Sequence, residues 1–171
     1  MSIPVWALSL TYWLHMLATV VWIGALVTLA LVVLPAAKRS LTAQANADLI
    51  GQIQRRIDPL AWFSLLVLAG TGMLQMSVNP NYQGFLAFEN RWAVAILIKH
   101  GVFLLMVAAS IYMTWGVLPQ LRRLALRQAR SQSADTSPQM QKWAYREAWL
   151  LRINLVLGVI VLGMTALARA S

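Results

Sequence analysis

The sequence predicts an all-α, polytopic membrane protein: four transmembrane helices in an up-down bundle. Hydrophobic residues make up 60% of the 171 and charged residues only 11%, a composition foreign to soluble domains. Four apolar stretches, 5–34, 59–78, 92–118 and 149–168, each approach or exceed the ~20 residues needed to cross a bilayer. Trp6, Trp62, Trp92, Trp115, Trp143 and Trp149 fall near the ends of these stretches, where an interfacial aromatic belt belongs.

The first stretch opens with MSIPVWALSL. It lacks a basic leader and is too long for a cleaved signal peptide, so it reads as the first permanent span. The connector 35–58 carries Lys38, Arg39, Arg55 and Arg56. Within it, residues 40–54 (SLTAQANADLIGQIQ) are expected to form a short amphipathic helix lying on the membrane face. After span 2, the segment 77–84 (SVNPNYQG) has the Asn, Pro and Gly of an ordered turn. The connector 119–148, after span 3, carries Arg122, Arg123, Arg127, Arg130, Lys142 and Arg146, and its portion 129–141 (ARSQSADTSPQMQ) reads as a flexible loop. No connector is large enough to fold alone, so residues 1–171 form a single membrane domain.

The net charge of +9 follows a membrane pattern. Ten basic residues lie in the two connectors, against Arg91 and Arg169 at the opposite span ends. The positive-inside rule then places loops 35–58 and 119–148 in the cytoplasm and both termini outside, in a bacterial-type inner membrane. The bilayer itself and its anionic lipids are the expected partners of the basic segments. No nucleic-acid motif accompanies the charge. With no cysteine in the chain, disulfides, thiolate metal sites and covalent haem attachment are excluded.

Only two histidines occur, His15 and His100, and both lie inside spans. Intramembrane ionisable residues are costly and mark functional sites. At 1.5 Å per residue, both sit roughly 12–15 Å from the outer end of spans that run in the same direction. Spans 1 and 3 of an up-down bundle are diagonal, about 12–14 Å apart for neighbouring axes at 8–10 Å. That arrangement suits two imidazoles clasping the iron of a haem b. Thr19 and Trp22 share a face with His15, where a threonine hydroxyl would orient the ring, and Phe103 would pack on the porphyrin. Lys99 is a further intramembrane cation. It either snorkels to the headgroups or serves as a propionate partner, proton relay or alternative axial ligand. Copper is the competing cofactor, because Met16, Met73 and Met76 offer thioethers that favour Cu(I). Met16, however, projects about 100° from His15 on the helix. A quinol or outer-side carrier is the expected redox partner, with a homodimer as the expected assembly. If the chain is an enzyme, it is an oxidoreductase.

An internal repeat links the halves. His15 precedes Leu34-Pro35 and Lys38-Arg39 as His100 precedes Leu118-Pro119 and Arg122-Arg123, and spans 2 and 4 share Gly72-Met73 and Gly163-Met164. The unit is a helical hairpin used twice in one orientation.

The segment 13–35, WLHMLATVVWIGALVTLALVVLP, carries a histidine, Trp22 seven residues later, and Ile23-Gly24. It resembles the first helix of the copper-resistance D (CopD) membrane domain family. The lysine-bearing span ending in Leu-Pro and basic residues looks like a later helix of that domain. A more distant likeness is to the HemJ-type protoporphyrinogen oxidase family, which is linked to haem b. Its intramembrane histidine and lysine would correspond to His15 and Lys99. The chain departs from the larger CopD proteins in having four spans rather than about eight. The resemblance implies copper transport or tetrapyrrole chemistry and leaves the choice open.

Overall fold

The computed structural model describes residues 4–84, 91–131 and 138–170. Its elements are α1 (Val5–Val27), a π-helical turn Thr28–Val33, α2 (Leu34–Ser40), α3 (Ala43–Ser77), α4 (Arg91–Ile111), a second π-helical turn Tyr112–Val117, α5 (Leu118–Ser131) and α6 (Pro138–Ala170). α1 and α2 form one continuous rod through the first π turn, as do α4 and α5 through the second. Among the described residues, four helices are therefore long and apolar enough to cross a membrane. The protein is an all-α membrane bundle.

Proline explains the two π turns. Pro35 and Pro119 have no amide hydrogen to return to the preceding turn. The last available amide before each reaches five residues back instead, Leu34 to the Leu29 carbonyl and Leu118 to the Met113 carbonyl. Ala30 and Thr114 are thereby left without an amide for their carbonyls within their own helices. Pro59, by contrast, is carried inside α3 without a break.

The connectors differ from expectation. Residues 40–54 do not form a separate surface helix: α2 ends at Ser40, and α3 runs unbroken from Ala43 to Ser77. Thr42 caps its start, accepting a 3.4 Å bond from the Ala45 amide. The loop expected over 129–141 is helical up to Ser131 and again from Pro138; its centre, 132–137, lies outside the described residues. The 77–84 turn is ordered as expected: the Asn79 side chain accepts from the Asn81 amide at 2.9 Å, Tyr82 N–H bonds the Asn79 carbonyl, and Gly84 takes a positive φ of 127°.

Packing follows the hairpins. α1 lies along α3, α4 lies along α6, and α1 also meets α6. α3 meets the third span mainly through α5, at the end bearing the basic connectors, here termed the connector side. At the opposite, terminal side, α3 and α4 touch where Met76 packs on Trp92 and Ala93. Spans 1 and 3 are thus diagonal, and the terminal-side half of the bundle is loosely closed between α3 and α4. The main core lies towards the connector side, around Trp22, Leu26, Leu29, Met106, Met113, Val117 and Leu151. Gly158 lets α6 approach both neighbours there, facing Ile23 and Met106.

A shift of 84 residues carries one π turn onto the other and Pro35 onto Pro119. The same shift carries buried Trp22, Leu26 and Leu29 onto buried Met106, Ser110 and Met113. In this register the counterpart of His15 is Lys99, and His100 falls one residue beyond. One residue is about 100° of helix, so Lys99 occupies the inward stripe and His100 the flank beside it.

Candidate functional site

The site is assembled around His15, half-buried on α1. Its Nδ1 lies 2.8 Å from the Thr71 hydroxyl on α3. That hydroxyl donates its only proton to the Val67 carbonyl. With the hydroxyl donating there, its oxygen accepts from the ring; we assign the His15 proton to Nδ1 on that basis, which leaves Nε2 as the base nitrogen. The ring edge rests on Gly72, where a side-chain carbon would stand 3.5 Å from His15 Cε1. A second tie holds the helices in register: the Gln75 amide donates to the Thr11 carbonyl at 3.3 Å.

The orienting hydroxyl thus comes from span 2 and not from span 1. Thr19 and Thr11 spend their hydroxyls on their own helix, bonding the His15 and Ala7 carbonyls at 2.8 Å. Thr71 was legible as a polar residue inside an apolar span.

His100 reaches the same protonation pattern by a different route. Its Nδ1 lies 2.7 Å from the Ile96 carbonyl, one turn back on α4. A carbonyl can only accept, so Nδ1 carries a proton.

Cations crowd the neighbourhood of His15. Lys99 and Arg169 are both within electrostatic reach of its ring, and Arg169 also acts on Lys99. Arg169 is held with its guanidinium 5.6 Å from the centre of the Tyr12 ring, which ties the end of α6 to α1. Among the described residues, the carboxylates Asp48, Asp58 and Glu147 belong to the connector side; Glu89 and Asp135 lie outside them. The arrangement is a neutral nitrogen base flanked by two cations, which suits a ligand carrying carboxylates.

The remaining sequence-predicted residues are placed elsewhere. Trp22 is buried two turns further along α1, in the main core. Phe103 is partly buried and packs against that core from α4. The methionines do not gather: Met16 and Met73 are 63% and 56% exposed, and Met76 is enclosed by Trp92 and Ala93. Among the described residues, no three His, Asp or Glu side chains converge as a metal site. Comparison with protein-family models, with curated proteins and with solved structures gives no match.

Proposed function

We propose that this chain is an integral-membrane b-type haem protein with an electron-transfer role, His15 and His100 being its axial ligands. The observation that carries the reading is the shared protonation pattern of the two imidazoles. Each donates Nδ1–H to an oxygen, Thr71 Oγ1 in one case and the Ile96 carbonyl in the other. A ligating histidine is ordinarily fixed in this way, with the opposite nitrogen turned to the metal. Lys99 and Arg169 are suited to hold the propionates. Gly72 leaves the His15 ring room against α3. When bound, a bis-histidine haem supplies one-electron chemistry with no open coordination position.

The proposed orientation puts the termini outside and the basic connectors in the cytoplasm, in an inner membrane. His15 then lies in the outer half of the bilayer, within reach of a quinol or an outer-side carrier. Anionic lipid has a suitable seat on the cytoplasmic side: a cavity of about 210 Å³ lined by Lys38, Arg39 and Arg152, with Leu34, Pro35 and Ala148 beside them.

The test is the optical spectrum of protein expressed with ample haem. A Soret band and a sharp reduced α band are expected, both lost in His15→Ala and in His100→Ala. A colourless protein sinks the proposal, and copper retained without iron would favour the CopD-like alternative.

A second reading rests on Lys99, which shares the inward register with His15. It is the pairing expected of a HemJ-like porphyrinogen oxidase, with Lys99 and Arg169 holding the substrate carboxylates. Turnover unaffected by Lys99→Met would remove it.

A further inference from the structure

A cavity of about 50 Å³ lies at the level of the π turns, between His15 and the connector side. Its lining includes Leu29 from the first π turn, Met113 and Thr114 from the second, and Trp22, Ser110 and Asn154. Trp62 also lines it, packed at a 43° tilt against Trp115 across spans 2 and 3 with ring centres 5.2 Å apart. Asp58, half-buried at the connector end of span 2, completes the lining.

Among the described residues, two polar atoms here have no protein partner. Trp22 is 5% exposed and its Nε1–H finds no acceptor; Asn154 is 2% exposed and its Oδ1 finds no donor. The Asn154 amide nitrogen is satisfied, donating to Ser110 Oγ at 3.0 Å, while Ser110 donates onward to the Met106 carbonyl. The opposite face of Asn154 is therefore an acceptor held in place by its own hydrogen bonds. Leaving a buried donor and a buried acceptor unmade costs about 1–3 kcal/mol each. An orphan donor and an orphan acceptor lining one cavity require an occupant that both accepts and donates. The volume chooses it: at a liquid share of about 30 Å³ per water, the 50 Å³ space takes one or two waters. A quinone ring or a tetrapyrrole is too large.

We propose that this cavity is a built hydration site, a short file of waters from the Asp58 carboxyl to the Trp22 indole. It gives water from the connector side access to the middle of the bundle. Trp22 is seven residues from His15, so the file ends about 10 Å short of the histidine along the helix axis. Arg122 and Glu147 are the charged neighbours that act on Asp58 at its mouth. The proline-driven π turns contribute as well: they leave Thr114 with a carbonyl that its own helix does not satisfy, beside the same cavity. Such π turns recur at functional sites. The site does not depend on haem being bound.

Hydrogen–deuterium exchange at the Trp22 indole tests water access. The full-length protein, ¹⁵N-labelled at tryptophan and held in lipid nanodiscs, is transferred to D₂O. The Trp22 signal is identified by its loss in Trp22→Phe. Exchange replaces the indole proton by a deuteron from water, and the proton leaves in that water. The indole is expected to exchange more than about ten-fold faster than the backbone amides of the surrounding helix. Asp58→Leu is expected to slow it by a similar factor. An indole signal as persistent as those amides overturns the proposal, and so does fast exchange indifferent to Asp58→Leu. Radiolytic footprinting gives a check without substitutions. Met113 lines the cavity and Met106, also buried, does not, so Met113 should be oxidised well ahead of Met106. Equal protection of the two would mean a dry cavity.

Discussion

Replacing Thr71 by valine removes the oxygen that orients His15 while keeping the size and branching of the side chain. In the wild type that oxygen accepts from His15 Nδ1 at 2.8 Å and donates to the Val67 carbonyl. The Val67 carbonyl keeps its helical amide after the change, so the loss falls on the histidine. A half-buried N–H left without an acceptor costs about 1–3 kcal/mol, or roughly 5- to 150-fold in an equilibrium constant. Loss of the hydrogen-bond partner behind a metal-binding histidine typically weakens affinity about 10- to 100-fold, within the same range. Thr71→Val should therefore weaken haem binding by one to two decades, about 1.4 kcal/mol for each. Thr71→Ser, which keeps the oxygen, should bind nearly as the wild type does. Two assays read this. Haem titration gives the affinity, and ¹⁵N spectra of ring-labelled histidine give the tautomer in the haem-free protein. A wild-type His15 carrying its proton on Nε2 would refute the reasoning at its first step. Equal haem affinity in wild type and Thr71→Val would refute it at the second.

Three further outcomes are expected. Gly72→Ala should be tolerated, because its new carbon meets His15 Cε1 at an ordinary 3.5 Å, whereas Gly72→Leu should displace the ring and abolish the haem spectrum. Gln54→Ala should destabilise the bundle by about 1–3 kcal/mol in thermal unfolding, since it strips the buried Glu147 carboxyl of the amide that donates to it. Glu147→Gln, which keeps the shape, should cost little. Because the chain has no cysteine, Asn81→Cys should react with an impermeant thiol reagent in intact cells and Ser133→Cys should not. The reverse pattern would invert the proposed topology.

The spans and their polar anomalies were legible in the sequence for different reasons. Hydropathy accumulates along the chain, so four apolar runs announce themselves without any knowledge of neighbours. His15, His100 and Lys99 stand out because charge is rare in such runs. Asn154 gave the same kind of signal, an amide inside the fourth span, and only its burial against Ser110 shows its weight. The connector helices were harder to read. Their polar composition describes what faces water, and says little about whether α3 continues through Pro59.

What the sequence by itself determined is the membrane class, the number of candidate spans, the positions of the two histidines along them and the Leu-Pro punctuation behind both π turns. These depend on residue type and on distance along one chain. Tertiary structure decided which side chains meet. It gave His15 its partner in Thr71, 56 residues away, and set Trp22 and Asn154 around one cavity. It also turned Lys99, and not His100, into the register of His15. A helix turns about 100° per residue, so a shift of one position that barely alters depth changes the neighbour entirely. Depth adds up along a chain, but facing direction is settled only when the helices pack.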